Sequence, residues 1–263
     1  MSRLVLVDGD ILVYRVGFTT EDVDEGIAAW RLQELLDRIM QECEGKAAHI
    51  FLTSADRSNF RFQLFPAYKE HRKDKPKPKH YEFLRDTLIK DHFATVISGQ
   101  EADDQLGIEL SQDPHNRIIA TIDKDLDMIP GWHFNFVKGN IYYMDELEAW
   151  RSFYWQCLVG DKSTDNIDGC PKIGPVKATR SLEGCESESE MFEKVCNHYL
   201  AAYHDPVVAV DALWLAGNLL WIRRKENQSW ERPSGEVVSK TMLRDCLQEE
   251  ESPMSMSLHS CAT

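Results

Sequence analysis

Positive charge is scarce in this chain. Lysine and arginine number 30 against 44 aspartates and glutamates, a formal charge of -14, and a protein that grips phosphate over its whole surface needs the opposite balance. Paired cysteines are missing too. The seven cysteines, at 43, 157, 170, 185, 196, 246 and 261, are odd in number and contain no CxxC pair, which argues against a disulfide framework or a zinc module and for reduced thiols in a cytosolic protein. Long apolar runs are absent as well: the longest, 212–222, is broken by Gly217 and Asn218 and is too short to span a bilayer. The chain enters its first apolar run at Leu4 with no signal-type core before it. A soluble, intracellular, cytoplasmic protein with no membrane partner is expected. No internal repeat is present, and 263 residues at 43% hydrophobic content suffice for one large domain or two modest ones.

What the chain does have is alternation. Leu4 Val5 Leu6 Val7 is an apolar run closed by Asp8 Gly9 Asp10; residues 25–44 carry Ile27, Trp30, Leu35, Ile39 and Cys43 at helical spacing before Gly45; residues 47–53 read as a second strand. Phe93 Ala94 Thr95 Val96 Ile97 and Ile118 Ile119 Ala120 Thr121 Ile122 read as buried strands. Residues 132–137 and 141–144 flank Lys138 Gly139 Asn140 as an edge hairpin, Asp145 caps a following helix, and 161–224 read as helical. The predicted fold class is α/β, with a mostly parallel, doubly wound sheet and a helical C-terminal region. A Ser/Met/Glu-rich tail, 248–263, lacks periodicity and is expected to be disordered.

The acids are not spread evenly. Glu101, Asp103 and Asp104 follow one apolar run, and Asp123, Asp125 and Asp127 follow the next. Gathered, partly desolvated carboxylates repel one another unless a hard cation sits between them, so the pattern points to a magnesium site. Asp123 Lys124 Asp125 Leu126 Asp127 begins like an EF-hand but has Met128 where the turn glycine belongs and Phe134 where the bidentate glutamate belongs. A capped acidic helix start is the plainer alternative for residues 101–104. Charge of the other sign gathers at 69–79, where Lys69, Arg72, Lys73, Lys75, Lys77 and Lys79 outnumber Glu70 and Asp74. Pro76 and Pro78 forbid a regular helix there, leaving a solvated linker or a mobile nucleic-acid-facing arch. Further on, Pro171 Lys172 Ile173 Gly174 Pro175 Val176 Lys177 Ala178 fits a helix-hairpin-helix, which offers backbone N–H groups to a phosphate without reading bases.

These segments carry a resemblance. Val7 Asp8 Gly9 Asp10 with Tyr14 Arg15, Phe60 Arg61 followed by Ala67 Tyr68 Lys69 Glu70 His71 Arg72, Glu101 Ala102 Asp103 Asp104, Asp123 Lys124 Asp125 Leu126, and 160–178 occur in the order of the 5′-nuclease or flap endonuclease superfamily. The chain resembles that superfamily from Leu4 to about Arg224, most of all the 5′→3′ exonucleases of short-tailed bacteriophages.

The resemblance implies a PIN-like nuclease core over 1–160 with an arch at about 69–98, a helix-hairpin-helix region over 161–247, and a two-metal phosphodiesterase. Asp8, Glu101, Asp103 and Asp104 would build the first metal site and Asp123, Asp125, Asp161 and Asp165 the second, for two Mg2+ that Mn2+ can replace. Lys69 and Arg72 would act on the scissile phosphate. Tyr68 would stack on a base. Lys73, Lys75, Lys77, Lys172, Gly174, Val176 and Lys177 would touch DNA, and Cys170 and Ile173 would hold K+ through their carbonyls. The implied activity is Mg-dependent 5′→3′ exonuclease and flap cleavage giving 5′-phosphorylated products in phage DNA replication or host DNA degradation, with RNA:DNA hybrid as a further substrate and a monomer as the acting form. Two positions depart from the family pattern: Asp161 and Asp165 are four apart rather than three, which a helical turn would tolerate, and the aspartate expected after the second strand falls on Ser54, with Asp56 as its substitute. A non-catalytic helix-hairpin-helix DNA-binding protein and a PIN-type ribonuclease are the rival readings.

Overall fold

The computed structural model describes residues 3–73 and 75–232. The expected tail at 248–263 lies outside the described residues. In chain order the elements are β1 (Arg3–Asp8), α1 (Gly9–Thr19), α2 (Glu25–Glu42), β2 (Gly45–Thr53), α3 (Phe60–Leu64), α4 (Tyr81–Asp91), β3 (Thr95–Ile97), α5 (Ala102–Gln112), β4 (Arg117–Ala120), β5 (Gly131–Asn135), β6 (Asn140–Met144), α6 (Glu146–Val159), β7 (Gly160–Asp161), β8 (Ile167–Asp168), α7 (Pro175–Leu182), α8 (Glu188–Ala202) and α9 (Pro206–Leu220). Two short 3-10 turns, Glu70–Arg72 and Lys124–Met128, matter below.

Six strands form one sheet in the order β3-β2-β1-β4-β5-β6, parallel throughout except for the antiparallel β5–β6 hairpin. The alternation of β1 explains its central place. Val5 and Val7 enter one apolar cluster with α1, α2 and α4, while Leu6 enters the other with α5, α6 and the C-terminal helices, so both faces are covered as a parallel sheet requires. The order reverses at β1: its neighbours β2 and β4 lead away on opposite sides, and the crevice outside the C-terminal strand ends at such a reversal is where an open α/β sheet binds ligands.

One strand reading needs correction. The run at 93–97 is a three-residue edge strand rather than a buried one: Val96 is exposed, and Phe93 is 85% exposed with a left-handed backbone (φ 55°). Among the described residues β3 has β2 on one side and no second strand to bury it. The β5–β6 hairpin lies at the opposite edge as expected, and Asp145 caps α6 by accepting from the Glu148 N–H at 2.8 Å.

The helical half grows out of the sheet's second face, sharing with Leu6 and Ile119 a cluster that reaches Leu213, Leu219 and Trp221. Between α6 and α7 the chain makes a small β7–β8 hairpin. A Cβ on Gly160 would lie 2.3 Å from the Gly169 backbone nitrogen, so the two glycines let α6 end and the hairpin close in one place. Of the span 69–98, α4 packs on α1 and α2 with Leu84 and Leu88 wholly buried, and Pro78 seats against Gly17.

Candidate active site

The site lies at the C-terminal ends of β1 and β4. Val7 pairs with Ala120, so the residues that follow each strand emerge side by side: Asp8 from β1, and Thr121 and Asp123 from β4. Asp8 is 1% exposed, caps α1 through the Ile11 N–H at 3.0 Å, and accepts from the Thr121 hydroxyl at 2.8 Å. Burial, with the charges of Asp10 and Asp123 adding to it, pushes its carboxyl up to about 7. Asp103, on the first turn of α5, is held well above the usual carboxylate range by burial and by the charges of Asp8, Asp123 and Glu101. Asp125, within the 3-10 turn after β4, is likewise pushed up to about 7 by burial and by Asp123 and Asp161. Its side chain accepts from Gln156 Nε2 at 2.7 Å.

Glu101 behaves differently. Burial works against its charge, but Lys69 and Arg61 outweigh that and bring its carboxyl down to about 2. Lys69 Nζ lies 2.6 Å from Glu101 Oε1 and 3.6 Å from Asp165 Oδ2; burial opposes its charge as well, yet those carboxylates hold its pKa above the ordinary lysine value. The Lys69 backbone is left-handed (φ 53°), pinned by its N–H to the Asp165 carbonyl at 3.0 Å, a conformation a non-glycine residue keeps only where its surroundings enforce it. Arg72 closes the group, 2.8 Å from Asp165 Oδ1, with its Nε on the Thr164 carbonyl.

The structure places several expected site residues differently. Asp104 is not available to a metal: it is wholly buried, Arg61 grips both its oxygens at 2.6 and 2.9 Å, and the N–H groups of Glu101 and Arg223 occupy the remaining lone pairs. Tyr68 is not a base-stacking platform. It is 1% exposed, its ring meets Phe62 edge-on, and its hydroxyl donates to Glu101 at 3.0 Å and Asp165 at 2.9 Å. Asp161 and Asp165 do not share a helix face, because 161–168 is a β-hairpin; Asp161 caps the Thr164 N–H while Asp165 turns to Tyr68, Lys69 and Arg72. Asp56, considered as a substitute for the aspartate absent at Ser54, instead ties an exposed loop through Ser58 and Ser98, which lower its pKa.

Sequence reasoning missed Asp10 and Arg85. Asp10 accepts from Arg85 at 2.9 Å and from the Thr53 N–H at 2.9 Å, binding α1 to α4 and β2 beside the acids. Only the repetition in Asp8 Gly9 Asp10 hinted at it.

Among the described residues no three carboxylate, imidazole or thiol side chains form a finished metal cage. The donor set still suits a hard cation. Asp8, Asp103 and Asp125 are acids driven toward protonation by burial and by their neighbours' negative charge, and a divalent ion relieves both. Away from the acids, the loop at 170–174 is fastened to α6 by the Cys170 N–H on the Leu158 carbonyl, and the Cys170 carbonyl accepts from Ile173. Lys172 takes a left-handed φ of 63°, Gly174 starts α7 with no side-chain cap, and Val176 is 68% exposed at its first turn. Lys177 lies on the same turn. Lys73 pairs with Glu70, Lys77 pairs with Glu82 and covers the Tyr81 ring, and Lys75 is exposed.

A family model described as the 5′-3′ exonuclease, N-terminal resolvase-like domain, matches residues 3–149. The chain belongs to that family. This 5′-nuclease is therefore an enzyme of the hydrolase class. It is 27% identical over 217 residues to the flap endonuclease Xni of Shewanella baltica, covering 75% of this chain and 80% of that one. It is 26% identical over 194 residues to a 5′-3′ exonuclease of Buchnera aphidicola, covering 65% and 66%. In fold it is similar to the bacteriophage T5 flap endonuclease, solved as a pseudo-enzyme-product complex with DNA and metal ions, at TM-score 0.63, 15% identity and 94% and 97% coverage. The T5 5′-exonuclease with bound zinc gives TM-score 0.57 at 18% identity, covering 83% and 95%. Among the described residues no helix of the 5′-nuclease is long and apolar enough to cross a membrane.

Proposed function

We propose that the chain is a magnesium-dependent 5′→3′ exonuclease and flap endonuclease that hydrolyses DNA to 5′-phosphorylated products. The observation that carries this reading is the gathering of acids at the C-terminal ends of β1 and β4 and the start of α5, where the charge of Asp123 helps to raise the pKa of Asp8, Asp103 and Asp125. Asp8, Glu101 and Asp103 would hold one ion and Asp123, Asp125 and Asp161 the other, with Mn2+ able to replace Mg2+. Such a pair, when bound, activates a water and neutralises the charge building on the leaving 3′ oxygen.

The chain's own groups do the rest. Thr121 and the Ile11 N–H fix Asp8, and Gln156 fixes Asp125, so these carboxylates meet the cations without reorganising. Lys69 and Arg72 stay cationic and are parked on Glu101 and Asp165. Both lie beside the acids that would hold the ions, where they would stabilise negative charge developing on the scissile phosphate. At the far end, the uncapped start of α7 offers the Val176 and Lys177 N–H groups to a backbone phosphate of the duplex, with Lys172 and Lys177 adding charge and a K+ bound by the loop carbonyls of Cys170 and Ile173. Lys73, Lys75 and Lys77 face the incoming 5′ strand, and RNA paired to DNA is a second substrate.

The test is degradation of 5′-labelled blunt, nicked and flapped duplexes and of an RNA:DNA hybrid, with Mg2+ and with chelator. Short 5′-labelled products that require the metal support the reading; cleavage in chelator, or none on any duplex, sinks it.

A further inference from the structure

Beside the acids lies a cleft that the mechanism above leaves unused. It has a volume of about 250 Å3 and lies between the Lys124–Met128 turn, α6 and α7, with Lys124, Trp155, Gln156 and Thr179 in its wall. That is below the roughly 300–1,000 Å3 of drug-sized ligand pockets, so a single small group is what it can admit.

Its chemistry is specific. Gln156 is 6% exposed, and its Nε2 donates to Asp125 Oδ1 at 2.7 Å, which orients the amide and leaves its Oε1 buried with no partner among the described residues. A buried acceptor without a donor costs about 1–3 kcal/mol, so an occupant whose N–H reaches Oε1 as the side chains covering it part relieves that cost. Trp155 adds a half-buried aromatic surface, its indole N–H held by the Thr179 hydroxyl at 3.1 Å. Lys124 Nζ lies over that ring, 5.4 Å from its centre, on an exposed side chain that can swing aside as a flat group enters and then meet its charge. The other charges in the wall are spent: Arg151 donates to the Leu182 and Cys185 carbonyls and pairs with Glu148, while Asp127 accepts from Tyr142. A flat aromatic ring bearing an N–H, attached to an anion, matches all three features.

We propose that this cleft is a nucleotide subsite, in which a base stacks on Trp155 and donates an N–H to Gln156 Oε1 while its phosphate meets Lys124. The proposal rests on the nuclease reading for its biological source of nucleotides, since 5′-phosphorylated mononucleotides are what such an enzyme releases a few residues away. The cleft then acts as a product-retention site and slows turnover as nucleotide accumulates.

The test measures binding of 2′-deoxyadenosine 5′-monophosphate to the full chain by calorimetry in chelator, so that no metal can draw the phosphate to the acids. Deoxyribose 5-phosphate is the baseless control. The nucleotide should bind at least about tenfold more tightly than the control, the scale of one base stacked on an aromatic ring. Trp155→Ala should abolish that difference. Trp155→Phe, which keeps a ring, and Thr179→Val, which removes only the indole's hydrogen bond, should both preserve it, and they guard against loss of fold as the cause. Equal binding of nucleotide and control, or unchanged nucleotide affinity in Trp155→Ala, overturns the proposal. A wild-type chain that binds the nucleotide as described but cuts no duplex overturns the nuclease reading instead.

Discussion

Arg61 and Asp104 form a bidentate ion pair at 2.6 and 2.9 Å, shut away from solvent at the start of the helix that also carries Glu101 and Asp103. The same guanidinium donates to the carbonyls of Leu219 and Trp221, so one residue ties the start of α5 to the end of α9. Adjacent aspartates therefore have different jobs, and the difference is measurable.

Asp104→Ala strips buried Arg61 of its bidentate partner and leaves it only the more distant Glu101 at 3.8 Å, a change that costs about 3–5 kcal/mol. At about 2–4 °C per kcal/mol for a chain of this size, thermal unfolding should drop by roughly 10 °C. Asp103→Ala should keep the melting temperature within a few degrees and lose at least about 10²-fold in turnover. If instead Asp104→Ala melts normally and loses only metal affinity, Asp104 is a ligand after all.

Tyr68→Phe separates a ring from a hydroxyl. A residue that stacks on a base tolerates this change, whereas Tyr68 as found here loses its hydrogen bonds to Glu101 and Asp165. Those bonds go to charged groups, each worth about 1.5–3 kcal/mol, so kcat should fall about tenfold or more with KM little changed. A wild-type kcat with the aromatic ring retained contradicts the assignment.

Lys69→Met removes the cation that holds Glu101 and that, in the proposed mechanism, meets the phosphate. Loss of one such charge typically costs about 10²–10³ in turnover. Binding of duplex in Ca2+, measured by anisotropy, should change by less than about tenfold; loss of binding without loss of kcat would assign Lys69 to substrate capture alone.

Stability should depend on pH in a direction set by the acids. Asp8 and Asp125 have folded pKa values near 7, above their ordinary 3.8, so between about 4 and 7 the folded chain holds more protons than the unfolded one. Stability of the metal-free protein must then fall as pH rises through that window. Glu101, brought down to about 2, contributes stability that is complete above its ordinary 4.5 and is lost only in stronger acid. Scanning calorimetry in chelator should give a higher melting temperature at pH 5.5 than at pH 8, and Mg2+ should raise it more at pH 8 than at pH 5.5. The opposite order in chelator contradicts a mutually repelling cluster.

Much of the fold was legible because it is written locally. The runs Leu4–Val7 and Ile118–Ala120 mark parallel strands, and in a parallel sheet their trailing acids must meet. What could not be read was which acid faces the site. Asp104 is neutralised by Arg61 from 43 positions away and accepts from the Arg223 backbone N–H from 119 positions away, and no local pattern announces either partner. Tyr68 lies in a polar, basic segment that looks exposed until Asp165 and Glu101 are folded onto it. For 161–165 the acidic spacing suggested a helix, but Gly160, at φ 73° against Gly169, turns the chain into a hairpin instead.

The most direct test of the central claim is the single-turnover rate of Asp123→Ala on a 5′-labelled flapped duplex, measured beside wild type across Mg2+ concentration with DNA affinity recorded separately. A metal-built catalytic centre predicts a fall of at least about 10²-fold that saturating Mg2+ does not rescue, with DNA affinity within a few-fold of wild type. A near-wild-type rate at saturating Mg2+ would contradict it.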